Sequence, residues 1–140
     1  QVIGRVGRTG AKSSVIIQTL NPEHPALQFA KNQDYQGFYK YEIEERMAEH
    51  MPPHTHLLHL TVGYATAKAA ETAAETLKQQ IGSKYKLAHV RGPSPAFHEH
   101  RGSQYYQQLV VSSSKRSILV EIAKHLPQRW QFTLDPVNLL

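Results

Sequence analysis

HTHLLHLTVGYATAKAAETAAETLKQQIG, residues 54–82, changes its apolar period between Val62 and Thr66. From His54 to Val62, the side chains of Leu58, Leu60 and Val62 fall on one side of an extended chain, the period of a strand. From Thr66 to Ile81, Ala70, Ala73, Leu77 and Ile81 recur at helical spacing, and Gly82 is placed to close the helix. The same alternation repeats downstream. Tyr85–Arg91 reads as a strand, and Gly92-Pro93-Ser94-Pro95 as a rigid loop. Tyr105–Val111 is a second strand, with Tyr105, Leu109 and Val111 on one face. Ser114 can cap a helix carrying Ile118, Leu119, Ile122 and Leu126, which Pro127 stops. Trp130, Phe132 and Leu134 alternate along a last strand. The order βαββαβ over residues 54–140 predicts an α+β module of the ferredoxin-like, split-βαβ type, with both helices on one face of a four-stranded antiparallel sheet.

Upstream of Pro52-Pro53 the reading changes. Ser14-Val15-Ile16-Ile17-Gln18-Thr19 is an apolar run suited to a buried strand. Asn21-Pro22 suits the start of a short helix running to about Lys31, with Asn as the cap and Pro as its first residue. Asp34 can cap a second helix that places Tyr35, Phe38, Ile43 and Met47 near one face. Glu42, Glu44, Glu45 and Glu49 make its solvated acidic side, and Glu42 is spaced to pair with Arg46. Residues 20–53 are therefore expected to be a helical connector, and Pro52-Pro53 a domain boundary.

Charge follows the same division. The 140 residues carry 16 Lys and Arg against 11 Asp and Glu, a net +5. The two signs balance over residues 1–50, so the whole excess lies in residues 51–140. That suits a polyanionic partner or an ordinary basic surface. No run of about 18 apolar residues marks a membrane span, and no partner in a membrane is expected. With no cysteine, disulfides and thiolate metal sites are excluded. The pairs His54/His56 and His98/His100 have no carboxylate cluster to complete a metal site, so no metal is expected here. The start at Gln1 shows no signal peptide and no initiator Met, which suggests a fragment.

Residues 1–8 read Q-V-I-G-R-V-G-R, ending a helix before Gly10. On a helix Gln1, Arg5 and Arg8 stand at i, i+4 and i+7 and share one face, while Gly4 and Gly7 permit close approach. This pattern resembles motif VI of superfamily-two helicases. Asn21-Pro22-Glu23-His24-Pro25, the acidic helix before Pro52-Pro53, Gly92-Pro93-x-Pro95-Ala96, Arg101-Gly102 and Leu134-Asp135-Pro136 extend the resemblance, in order, to the PriA family of replication-restart helicases. The resemblance implies ATP-driven, 3′-to-5′ unwinding at stalled forks and primosome assembly by a cytoplasmic protein. It makes residues 1–19 the tail of a second RecA-like lobe. It gives Arg8 the role of arginine finger, with Arg5 facing the nucleotide and Gln1 positioning it, a task suited to a charged planar fork. It implies ATP and Mg in the full-length protein, and zinc in a cysteine-rich module that this chain lacks. The partners it implies are branched and single-stranded DNA, single-stranded-DNA-binding protein and other primosome proteins.

Several departures bear on function. No G-x-x-x-x-G-K-[ST] is present, since Gly10-Ala11-Lys12-Ser13 only approaches it, and there is no acidic Walker B stretch. This chain alone is therefore expected to be inactive and to hold no cofactor. Where the family alternates Arg with aromatics, this chain has Gln104-Tyr105-Tyr106-Gln107. The candidate nucleic-acid residues are Arg91, Arg101, Tyr105, Tyr106 and Lys115. Adjacent on a strand, Tyr105 and Tyr106 face opposite ways, so one can stack on a base while the other packs, or both can serve packing. Arg116 matches a family position that contacts the acidic tail of single-stranded-DNA-binding protein, although Val120 stands where a Gln is expected. A stand-alone nucleic-acid- or protein-binding module, without a helicase partner, is the competing reading.

Overall fold

The computed structural model describes residues 14–137. Gln1, Arg5 and Arg8 lie outside the described residues, as does the helix expected over 1–8. The chain divides into two compact units, 1–41 and 42–140. Among the described residues, no helix is long and apolar enough to cross a membrane.

In the first unit, residues 14–19 are exposed and join no sheet. This corrects the buried strand expected there, for an apolar run becomes a buried strand only when other strands pair with it. Helix α1 spans Pro25–Asn32, one proline later than expected. His24, not Asn21, is its cap, accepting the Ala26 N–H on Nδ1, and Pro25 occupies the first turn. Asn21 instead starts a turn closed by the His24 N–H on its carbonyl. Helix α2, Tyr35–Ala48, begins in this unit as Asp34 predicts, with Oδ1 accepting the Gly37 N–H at 2.8 Å, and its residues from Glu42 onward belong to the second unit. Phe29 packs its ring against Phe38 and Tyr41.

The second unit holds β1 (His56–Tyr64), α3 (Ala67–Lys84), β2 (His89–Arg101), β3 (Gln104–Ser113), α4 (Arg116–Lys124) and β4 (Gln131–Leu134). The sheet order is β2-β3-β1-β4, every neighbouring pair antiparallel. This is the split-βαβ arrangement that the alternating periods predict. Leu58, Leu60 and Val62 project from one face of β1 into a cluster with Leu109 and Val111 of β3. Ala74, Leu77 and Ile81 of α3 and Leu119 and Ile122 of α4 join the same cluster, so both helices cover that face. Trp130 closes it beside β4. Burial of these side chains, each stabilising by about 1.5–3 kcal/mol, holds the unit together.

Four local readings change. Helix α3 runs through Gly82 to Lys84, and the Tyr85 N–H still bonds the Ile81 carbonyl. Nothing packs on Gly82, so its helix cost of about 1 kcal/mol is borne without a clash. Ala74, not Ala73, is buried beside Ala70 on the inner face of α3. The expected strand at Tyr85–Arg91 starts only at His89, and the expected loop at Gly92–Pro95 lies inside β2. An edge strand tolerates proline, because its outward N–H groups have no ladder partner. Gly92, at φ +101°, makes the irregularity, and a Cβ there would meet the Gln108 carbonyl oxygen at 2.8 Å. Gly102, at φ +61°, then opens the two-residue turn between Arg101 and Gln104. Lastly, Lys115 rather than Ser114 caps α4, without a side-chain cap bond, and Leu126 lies past its end.

Candidate nucleic-acid interface

Helices α3 and α4 both pack on one face of the sheet, and neither lies on the other, the open face. Alternation along β1 and β3 turns His59, Thr61 and Gly63 outward there, paired with Val110, Gln108 and Tyr106. β4 adds Gln131 and Thr133. His59 Nε2 lies 2.8 Å from Gln108 Oε1, which fixes both side chains in this polar grid. Tyr106 covers Gly63, where a Cβ would stand 2.8 Å from the tyrosine ring, so only glycine admits the ring at that depth. The Tyr106 hydroxyl donates to Gln104 Oε1 at 3.2 Å. Beside it, Thr61, Gly63, Gln104, Tyr106, Arg129 and Gln131 line a small polar recess of about 160 Å³. The guanidinium of Arg129 sits 4.8 Å from the Tyr64 ring centroid, a cation–π contact that holds it at the recess rim.

Among the two tyrosines, Tyr106 is on the open face. Tyr105 faces the helix side opposite Tyr64, with its ring 4.8 Å from that of His100. Arg101 pairs with Gln104 across the hairpin turn, and its side chain lies outside the described residues. Arg91 is on the open face but at the far end of the sheet, where its guanidinium binds the carboxylate and backbone carbonyl of Glu49. Next to it the rings of His50 and His89 stack 3.8 Å apart. Lys115 and Arg116 share that far end, at the start of α4. The candidate residues are thus split between two ends of a sheet whose central strand is about 27 Å long. The hairpin end holds Tyr105, Tyr106 and Arg101, and the other Arg91, Lys115 and Arg116.

Arg116 is held. Its Nε donates to Asp135 Oδ2 at 3.0 Å. Asp135 Oδ1 accepts the Leu57 N–H at 3.2 Å and lies 3.3 Å from His56 Nδ1. Burial pushes the Asp135 carboxyl up, but the bonds from Arg116, Leu57 and His56, with the His56 charge, outweigh it and hold it below its ordinary 3.8. A depressed carboxylate adds stability above its ordinary value and loses it as pH falls through the lowered one. Asp135→Asn should therefore flatten the fall in urea midpoint between about pH 5 and pH 2. An unchanged acid slope would show that this cluster carries none of the acid sensitivity.

Arg129, His56 and Asp135 were not singled out as site residues from the sequence. Arg129 stands in a general basic count, and only the fold brings it to Tyr64. Asp135 lies 79 positions from His56, a separation that no local pattern registers. Among the described residues, no three His, Asp or Glu side chains converge to hold a metal.

Residues 48–137 match the family described as the primosomal protein N C-terminal domain. The whole chain is 31% identical to the replication restart protein PriA of Bacillus subtilis, covering 18% of that protein. It is 29% identical to the PriA of Treponema pallidum, covering 23% of it. With the PriA of Haemophilus influenzae it shares 28% identity over 99% of the chain and 20% of that protein. The chain therefore spans about a fifth of the length of these relatives. An α+β module of this topology, matched over residues 48–137, makes the chain a member of the primosomal protein N C-terminal domain family, and a C-terminal portion of a PriA-type replication restart protein.

Proposed function

We propose that this chain is the DNA-holding end of an ATP-dependent, 3′-to-5′ helicase that restarts stalled forks and assembles the primosome. The open sheet face carries the reading. It presents an aromatic ring, an arginine and a row of amide and hydroxyl groups beside one recess, on the face that α3 and α4 do not cover. Tyr106 would stack on a base, Arg129 and Arg101 would contact phosphates, and His59, Thr61, Gln108 and Gln131 would bond base edges or sugars. Arg91 and Lys115 would extend the phosphate track toward the other end, with Arg91 leaving Glu49 to do so. In the full-length protein Gln1, Arg5 and Arg8 would face ATP and Mg across a two-lobed cleft. Zinc would belong to the cysteine-rich module. Arg116 would take the terminal carboxylate of the acidic tail of single-stranded-DNA-binding protein.

The test is single-stranded oligonucleotide binding measured against salt. Arg129→Ala should lower the slope of log affinity against log salt by about one. Tyr106→Ala should weaken binding about tenfold and leave that slope unchanged, because stacking releases no counterions. If the chain binds no oligonucleotide at low salt, or if both variants act only through the slope, the open face is not the DNA site.

A further inference from the structure

We infer that Asp135 is a positioning residue that aims the guanidinium of Arg116 at a carboxylate. The inference rests on the proposed reading that Arg116 takes the terminal carboxylate of the single-stranded-DNA-binding protein tail.

Asp135 is fixed before Arg116 is considered. It sits at φ 49°, a left-handed conformation that aspartate enters when its side chain bonds nearby backbone. Its N–H donates to the Leu57 carbonyl at 2.8 Å, and its Oδ1 accepts the Leu57 N–H at 3.2 Å. Both bonds tie the residue after β4 to the central strand. His56 Nδ1, at 3.3 Å, holds the same oxygen. The carboxylate is thereby oriented by β1, with Oδ2 turned to Arg116. Arg116 gives it only Nε, at 3.0 Å. Among the described residues the two η nitrogens, which carry four of the five guanidinium N–H groups, bond no protein acceptor. The side chain stays about half exposed. One bond at Nε thus sets the plane of the fork and leaves its end toward solvent, in the geometry that receives both oxygens of a carboxylate. A guanidinium already held in this way loses less rotational freedom when it binds.

Positioning and plain charge predict opposite signs for the same variant. Asp135→Asn removes a negative charge beside Arg116. If Arg116 acts only as a cation, that change tightens binding of any anion. If Asp135 aims the fork, it weakens binding of a terminal carboxylate.

The experiment measures binding of the 140-residue chain to a peptide of that acidic tail, with its C-terminus either free or amidated. Arg116→Ala and Asp135→Asn should each weaken the free-acid peptide about tenfold, the size of one charge-assisted bond. The double variant should be no weaker than the single ones, and the amidated peptide should respond to neither. If Arg116→Ala weakens binding and Asp135→Asn leaves it unchanged or tighter, the positioning role is overturned and the Arg116 reading stands. If the peptide does not bind, or binds regardless of Arg116→Ala, the Arg116 reading itself fails. An independent measurement needs no variant. The Arg116 Nε–H resonance of the unliganded wild-type chain should be protected from exchange with water and shift with the free-acid peptide only. An unprotected Nε–H overturns the proposal.

Discussion

Arg8→Ala in the full-length protein should lower single-stranded-DNA-stimulated ATP turnover by roughly a thousandfold or more, with little change in nucleotide affinity. This follows from the proposed role of residues 1–8. An arginine finger acts on charge that develops on the transferred phosphoryl group, and that charge is largest in the transition state. Removing the guanidinium therefore acts on kcat and spares the ground-state complex. On the helix expected over residues 1–8, Arg5 and Gln1 stand three and seven residues before Arg8 and would share its face, so Arg5→Ala should act in the same direction. The 140-residue chain by itself should show no turnover, since it contains no phosphate-cradling loop with its lysine. Steady-state ATPase assays with a separate nucleotide-binding measurement decide the matter. An equal loss of binding and turnover, or no loss of either, would remove the finger from Arg8.

Leu60→Ala should cost about 2–5 kcal/mol, enough to remove much of the stability of a domain that has only about 5–15 kcal/mol in total. Leu60 is fully buried at the middle of β1. It stands between Leu109 of β3 and Phe132 of β4, in the cluster that α3 and α4 both enter. A cavity there has walls on every side, and the sheet ladder prevents β1 from collapsing into it. His59, its neighbour in sequence, turns to the open face and makes the bond to Gln108. His59→Ala should cost about 1 kcal/mol or less. Urea unfolding monitored by Trp130 fluorescence reads both, as a lower midpoint at constant m. Equal costs for the two would mean that the helix-covered face is not the core.

The alternation of Leu58, Leu60 and Val62, and the helical recurrence of Ala70, Leu77 and Ile81, were legible because each element buries one face against the same core. The α+β class and the sides taken by both helices follow from those periods. The run of β2 through Pro93 and Pro95 was not legible. A proline's tolerance depends on which side of a strand has a partner, and that is a property of the sheet order. The cap of α4 was misplaced by one residue. It is Lys115, whose N–H is taken by the Ser113 hydroxyl in the turn before the helix. Candidate residues were picked by type, which is why Tyr106 was named but the glycine that seats it was not. Separation along the chain hid the rest. Arg129 against Tyr64, and Asp135 against both His56 and Arg116, meet only when β4 docks on β1.

The place of β1 in the sheet has a consequence for how the domain is made. β1 is the first strand of its unit to be synthesised, yet its two neighbours, β3 and β4, are the last two strands to follow. Leu58 must wait for Val111 on one side and for Leu134 on the other. Until β3 arrives a leucine-rich strand has two unsatisfied edges, and until β4 arrives it has one, an arrangement prone to pairing with a neighbouring nascent chain. The α3 helix can form early from local bonds and shield one face of β1, but it cannot cover an edge. On a polysome, where copies of this segment emerge side by side, the vulnerable species is the half-translated domain. A trigger-type holdase that grips residues 56–64 would protect it until β4 arrives.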